Sequence, residues 1–363
     1  MFRKVRSPRR RDTRPSLDAL EGRALLSTMM PHHSGHGHAE VARATPDHKS
    51  PQNNMPSATL LGTVSAGGFQ FVNFDGLNPG TNAATGTNAN GISNAGTSVG
   101  FVIDNNGNFT NLTVNPLKPH TLQTLNINGS TKANAFGVNR FGVVVGNDGN
   151  GNAFTLSNGR LSTFIPNGGT SATAFGINDN NQIVGQYTNS AGQTPGFVRL
   201  NGKTFLTINA PSGPNTVNAQ GINNRGQVVG FYVGTDGQVH GFMANVGNLK
   251  HKTTSITGTA IADPTIPNVA GEPGATFVFS QILGINDKGI AVGYYGDSTT
   301  SQHGFLYNTN TGKYTFLDDP SEAFNNGVEV TQITGITDSG EITGFYSDAN
   351  GVFHGFVANP HVH

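Results

Sequence analysis

The stretch at residues 221–242, GINNRGQVVGFYVGTDGQVHGF, returns five more times in variant form, and this periodicity constrains the fold more than anything else in the chain. The other copies begin at Gly91, Gly137, Gly176, Gly284 and Gly335, giving steps of 46, 39, 45, 63 and 51 residues. Such a period belongs to repeated supersecondary units that bury their apolar faces only by stacking on one another. Each unit carries four short strand signals separated by turn residues. Strand A ends in Gly-Ile-Asn (174–178, 282–286), and strand B is the Val/Ile-rich run (182–187, 227–232). Strand C opens on Gly-Phe (196–197, 241–242, 304–305, 355–356), and strand D is aromatic and Thr-rich (204–210, 313–318). Four short antiparallel strands per unit is the size of one propeller blade, whereas a β-helix coil would repeat about twice as often.

Composition agrees. Only 12% of the 363 residues are charged, while 50 are Gly. Gly costs about 1 kcal/mol per helical position relative to Ala, and the abundant Asn and Thr favour turns and strands. Gly and Pro together make 68 residues, short of a low-complexity chain, and 23 Phe supply a core. With no Cys there is no disulfide, thiolate metal site or Cys nucleophile. Seven of the 21 basic residues lie in residues 1–14 against one acid, so the remainder has 14 basic and 20 acidic residues, a net of −6. A mildly acidic body lacks the clustered Lys and Arg that a phosphate backbone requires, so no nucleic-acid partner is expected. No run of 18 apolar residues occurs, so no transmembrane helix is expected, and the body is expected to be a monomer.

Tight turns join A to B (179–181, 224–226, 287–289, 338–340) and C to D (158–159, 201–202, 311–312), many with Gly at the position that needs positive φ. In an up-and-down meander these turns share one face. The longer B–C and D–A connections take the other, including an insertion at 250–274 that explains the 63-residue step. Residues 62–81 align without gaps on 196–215, a C-plus-D half unit, whereas the last unit stops at 355–359 without a D strand. Residues 69–75 are therefore expected to supply the missing outer strand. An open sheet edge would otherwise invite aggregation. The expectation is an all-β chain, a β-propeller of four-stranded antiparallel blades, six in number with five or seven as alternatives, closed by an N-terminal outer strand.

Four segments follow: a basic export or sorting segment at 1–30, a His/Pro-rich linker at 31–59, the repeat domain at 60–359 and a tail at 360–363. Leu20, Glu21, Arg23, Leu25, Leu26 and Ser27, behind the basic lead-in, resemble the LEPR-XLL motif of exported and surface proteins of planctomycete bacteria, with Gly22 where that motif has Pro. The resemblance implies an extracellular or cell-surface location. The repeat unit itself resembles the bacterial extracellular HAF repeat. Its His-Ala-Phe tripeptide reads His240-Gly241-Phe242, His303-Gly304-Phe305 and His354-Gly355-Phe356 here. That resemblance implies an exported β-propeller-like protein and transfers no catalytic residue.

Most repeated residues read as scaffold. Ile177, Ile222, Ile285 and Ile336 alternate with polar neighbours as core strand residues do. Phe197, Phe242, Phe305 and Phe356 are expected as packing anchors, and Asn178, Asn223 and Asn286 as caps of the turns they precede. Gly185, Gly230, Gly293 and Gly344 inside strand B imply a close backbone approach, assigned to crowding at the axis. His240, His303 and His354 occupy separate blades, too far apart to share an ion, and are expected to be hydrogen-bonded structural residues. No cofactor is expected. The alternatives are a transition metal on His32, His33, His36 and His38 of the linker, or Ca²⁺ at the loops 104–108 and 147–152, which lack the acidic twelfth position of an EF-hand. Asp318, Asp319 and Glu322 form the densest acidic cluster and are expected as a solvated loop. No Ser-His-Asp order, Walker loop or HExxH motif is present. The functional expectation is a non-catalytic binding scaffold for a surface protein or glycan on its variable-loop face, with binding residues unknown. The alternatives are a polysaccharide lyase or hydrolase, leaving enzyme status open but leaning against catalysis, and a purely structural envelope role.

Overall fold

A computed structural model describes residues 57–202, 204–247, 253–267 and 274–361. The sorting motif, the His tract of the linker and His363 lie outside these residues. Among the described residues every regular element is a strand, and there is no helix.

The chain opens with a hairpin of β1 (Thr59–Ala66) and β2 (Phe69–Asp75). A series of antiparallel meanders follows. The first is β3 (Gly86–Ile92), β4 (Ser98–Ile103), β5 (Phe109–Asn115) and β6 (Lys118–Thr124). The second is β7 (Asn134–Val138), β8 (Val144–Asn147), β9 (Ala153–Ser157) and β10 (Arg160–Phe164). The third is β11 (Gly169–Ile177), β12 (Ile183–Asn189), β13 (Gly196–Asn201) and β14 (Thr204–Asn209). The fourth holds β15 (Val217–Ile222), β16 (Gln227–Val233) and β17 (Val239–Asn245), followed in sequence by β18 (Ser255–Thr257) and β19 (Thr259–Ala260). The fifth is β20 (Phe277–Ile285), β21 (Ile290–Asp297), β22 (Gln302–Asn308) and β23 (Lys313–Phe316). The last is β24 (Thr331–Ile336), β25 (Ile342–Ser347) and β26 (Phe353–Pro360). Beside β26, in the outer place, runs β2, paired antiparallel from Phe69↔Pro360 to Phe74↔Gly355. A single parallel bridge, Phe353↔Gly86, joins this sheet to the first meander.

Two local devices recur. In five sheets a Gly of strand B lies directly opposite a Phe of strand C, as in Gly185↔Phe197, Gly230↔Phe242 and Gly344↔Phe356. A Cβ on Gly185 or Gly344 would collide with that ring and with the carbonyl of Thr173 or Gln332 on strand A. The strand-B glycines therefore make room within their own sheet, which corrects the expectation that axial crowding explains them. The second device is a register shift in every A strand, immediately before its Gly-Ile/Val pair, as at Ala174/Gly176 and Ile333/Gly335. Such a bulge re-aims the strand end and increases twist.

The insertion is also corrected. It is not confined to a D–A connection: β18 adds in parallel to the outer edge of β14 in the preceding sheet, and β19 then returns as a two-residue outer strand on β17. Covering β14 blunts an edge that would otherwise stay open. The apolar core lies between successive sheets, where Val198 and Leu206 of the third meet Val217, Ala219 and Phe242 of the fourth.

Candidate functional site

Backbone hydrogen bonds sort the connections onto two sides. The A–B and C–D segments touch each other, as in Val246 N–H to Gly226 O (2.8 Å) and Thr309 N–H to Gly289 O (2.9 Å). The B–C and D–A segments likewise meet, as in Ala84 N–H to Gly351 O (2.8 Å) and Ser298 N–H to Thr276 O (2.9 Å).

The turn side is stitched together. Asn223 Oδ1 accepts from Arg225 and Gln227 N–H (3.1 and 2.9 Å), capping its turn, while its Nδ2 donates to Asn286 O (2.9 Å) in the next. Asn178 and Asn286 do the same. The following residue carries a second relay. The N–H groups of Arg140, Asp179, Asn224, Asp287 and Asp338 donate to the side chains of Asp179, Asn224, Asp287, Asp338 and Asn94 at 2.7–2.9 Å. Arg140 has no acceptor atom and cannot continue the relay. Asn94 Nδ2 instead donates to Asp338 (2.8 Å) and Asp179 (3.3 Å). Sequence reading found the caps and missed the relay, which joins residues up to 244 positions apart. On this side a cavity of about 420 Å³ is lined by Val143, Ile177, Asn181, Ile183, Arg199 and Leu200. Its Arg199 is engaged, donating to Gly202 O (2.8 Å) and lying over the Phe164 ring.

The other side holds the ionisable groups. Each repeated His binds a carboxylate near the end of the outer strand and faces one from the B–C segment. His240 lies 2.7 Å from Asp263 and 3.0 Å from Asp236. His303 lies 3.0 Å from Asp318 and 3.8 Å from Asp297, and His354 3.0 Å from Asp75 and 3.7 Å from Asp348. Burial alone would lower the pKa of His240 and of His354. Their carboxylate partners outweigh it and raise both above the ordinary value. The three remain in separate sheets. Among the described residues no group of three or more His, Cys, Asp or Glu is arranged to hold a metal ion. In the Asx loops, Asp104 and Asp148 spend their oxygens on their own turns, accepting from Asn106 and Asn108, and from Asn150 and Asn152.

The acidic cluster departs from its expectation as a solvated loop. Asp319 is fully buried, Glu322 half-buried and Glu329 buried. The loop is drawn inward because Asp319 N–H donates to Thr331 Oγ1 (3.1 Å) and Gly304 N–H to Asp318 Oδ1 (2.7 Å). Asn73 Nδ2 reaches Asp319 (3.3 Å) and Ser321 (2.9 Å) from β2, about 250 residues earlier in the chain. Burial pushes the Asp319 carboxyl up. Burial, reinforced by the neighbouring Asp318, pushes Glu322 up to about 9, against a weaker opposing hydrogen bond from Thr331. Burial and the neighbouring Asp318 thus favour the protonated form of Glu322. His303 brings its ring to the cluster, 3.0 Å from Asp318 and 4.0 Å from Glu329.

No family model and no curated protein matches the chain. Solved structures to which it is similar include the β-propeller domain of the Trilobed protease from Pyrococcus furiosus, at 8% identity and TM-score 0.41, covering 83% of this chain and 95% of that one. TolB from Acinetobacter baumannii follows at 10% identity and TM-score 0.43, covering 73% and 64%. A mutant of Aleuria aurantia lectin in complex with alpha-methyl-L-fucoside matches at 10% identity and TM-score 0.40, covering 74% and 90%. At such identities and scores none of those proteins' chemistry carries over.

Proposed function

We propose that the chain is an exported or cell-surface β-propeller of six blades, closed by β2, that acts as a non-catalytic binding scaffold through its B–C and D–A face. Six blades are supported by a cycle of contacts between inner strands. A Cβ added at Gly137 would lie 3.2 Å from Gly176 Cα, at Gly221 2.9 Å from Gly284 Cα, at Gly284 3.1 Å from Gly335 Cα, and at Gly335 3.2 Å from Gly91 Cα. The last of these links the final meander to the first. Export is supported by the resemblances of the N-terminal motif and of the repeat.

One observation carries the binding role. The face built from the most variable connections also gathers the carboxyl groups of Asp297, Asp318, Asp319, Glu322 and Glu329 between the fifth and sixth meanders, with Asp318 and Glu322 half-buried at its surface where a ligand would meet them. The test is a glycan array together with capture from a cell-envelope extract, using the wild type and Asp318→Asn. Binding that Asp318→Asn weakens is the expected result; silence in both assays removes the reading.

A second reading, a hydrolase or lyase of surface polysaccharide, is favoured by the half-buried Glu322, whose burial holds its carboxyl towards the protonated form that a general acid needs. Polysaccharide cleavage abolished by Glu322→Gln would establish it; absence of cleavage across neutral and acidic polysaccharides would dismiss it.

A further inference from the structure

We propose that the cavity between the second and third meanders, on the side of the tight turns, binds a small organic monocarboxylate, with the carboxylate on Arg199 and the apolar body on Val143, Ile177 and Ile183. The argument starts from a break in the repeat. In every sheet one strand-C residue lies opposite the position two places before the strand-B Gly, and these residues are Val114, Leu156, Arg199, Ala244, Tyr307 and Ala358. The five other than Arg199 are apolar, and each packs into the core between neighbouring sheets. Strand alternation puts Arg199 on the same face as Phe197, whose cluster joins Val145 and Ala153 of the second meander to Ala174 and Ile183 of the third. A cation thus stands where the other sheets place an apolar core residue.

Here the structure also holds space, the cavity of about 420 Å³, which lies in the size range of small-ligand sites. Val143, Ile177, Ile183 and Leu200 give it apolar walls, Thr155, Asn180 and Asn181 add polar groups, and among the described residues no acid lines it. Asn180, Asn181 and Gly202 are exposed, so the space opens to solvent. The half-buried Arg199 is held in place by two contacts: Nε donates to Gly202 O (2.8 Å), and Cζ lies 4.4 Å from the centre of the Phe164 ring. Burial lowers its pKa, and no carboxylate acts in the opposite direction. The guanidinium nevertheless stays charged, and its terminal Nη groups carry the four N–H donors that the bond to Gly202 does not use. A planar fork of this kind matches a carboxylate through two parallel hydrogen bonds. One cation balances one negative charge, so a phosphate dianion would bring an uncompensated charge against apolar walls. A neutral ligand would leave the Arg199 charge unanswered. Asn181 Oδ1 accepts from Asn139 Nδ2 (3.0 Å), which keeps the Asn181 Nδ2 donor for the ligand or for water. Arg199 and Thr155 take no part in the relay of the turns, and the site is independent of any binding on the B–C face.

The test titrates the full chain with hexanoate and phenylacetate, and with hexanamide, hexyl phosphate and acetate as controls, by saturation-transfer NMR and calorimetry. At least one of the two acids is expected to bind with a Kd of about 1 mM or tighter, and each control at least about tenfold more weakly. Arg199→Leu, which restores the apolar character of the other sheets, should weaken binding at least about tenfold with Tm unchanged or raised. Val143→Phe fills the cavity beside an intact Arg199 and should weaken it to a similar extent, about tenfold. Arg199→Lys keeps the charge without the fork and should weaken binding about fivefold, which serves should the leucine variant not fold. Failure of both acids to saturate the wild type below about 10 mM overturns the site. Binding that persists within about twofold in Val143→Phe and in the Arg199 variants places the acid elsewhere and also overturns it. Hexanamide binding as tightly as hexanoate would show that the cation is not read, with the same consequence.

Discussion

The two sides of the molecule solve the same problem in opposite ways. On the A–B side the polar turn residues are spent on neighbours: Asn223 caps its own turn and grips the next, and Asp287 accepts from Asn224 while donating to Asp338. On the B–C side, groups are buried without full compensation, namely Asp319 Oδ2 and Asn73 Oδ1. A network with all its bonds made holds the blades in register and has nothing left to offer a ligand. Residual donors and acceptors cost stability and provide recognition. The difference teaches that the repeated turn residues spend their hydrogen bonds on one another, whereas the unrepeated acidic cluster keeps some unspent.

The largest expected effect comes from removing β2, the outer strand beside β26. A chain lacking residues 60–80 loses Phe71 and Phe74, both fully buried. At about 3–5 kcal/mol for each buried Phe, Tm should fall by more than about 10 °C. Thermal unfolding unchanged by the truncation would separate β2 from the stability of both sides. Next is the close approach between inner strands. Gly221→Ala places a methyl 2.9 Å from Gly284 Cα and 3.0 Å from Leu283 O, and should cost about 1–3 kcal/mol in chemical denaturation. On the stitched side, Asn223→Ala removes four hydrogen bonds and should cost about 2 kcal/mol. A loss no greater than that of the same change at an exposed Asn such as Asn167 would show that the relay carries no stability.

A further effect should be one of pH. The folded chain keeps the Glu322 proton from the ordinary pKa of 4.5 up to about 9, while the unfolded chain releases it at the lower value. Its stabilising contribution is thus complete below pH 4.5, declines as pH rises, and is gone by about 9. His240 and His354, with raised values, act in the same direction above pH 6.5. Glu322→Gln should flatten the stability profile between about pH 5 and 9 and leave that protein more stable than wild type at the alkaline end. Parallel profiles for the two proteins would mean that Glu322 is not buried as a neutral acid.

Much of the framework was legible in sequence because its signals are local. Gly-Ile-Asn followed by a tight turn specifies a hairpin wherever it occurs, and Asn178, Asn223 and Asn286 cap as their short side chains allow. The outer strand at 69–75 was legible from its alignment with a D strand. Asp318, Asp319 and Glu322 misled because an acidic run between strands looks solvated. What buries it is Asn73, far away in the chain, and Thr331 on the next inner strand. The strand-B glycines were read as axial because nothing local tells which backbone passes a glycine closely.

From its repeats alone the chain determined an all-β architecture, the period of its strands and the side on which its turns are tight, since these follow from φ preferences and alternation along a few residues. Only the tertiary structure decided which polar groups find partners. Asn73 and Asp319 read as ordinary polar residues in a polar sequence. Whether Asp319 meets Asn73 depends on how residues 246 positions apart come together, and no stretch of sequence contains that distance.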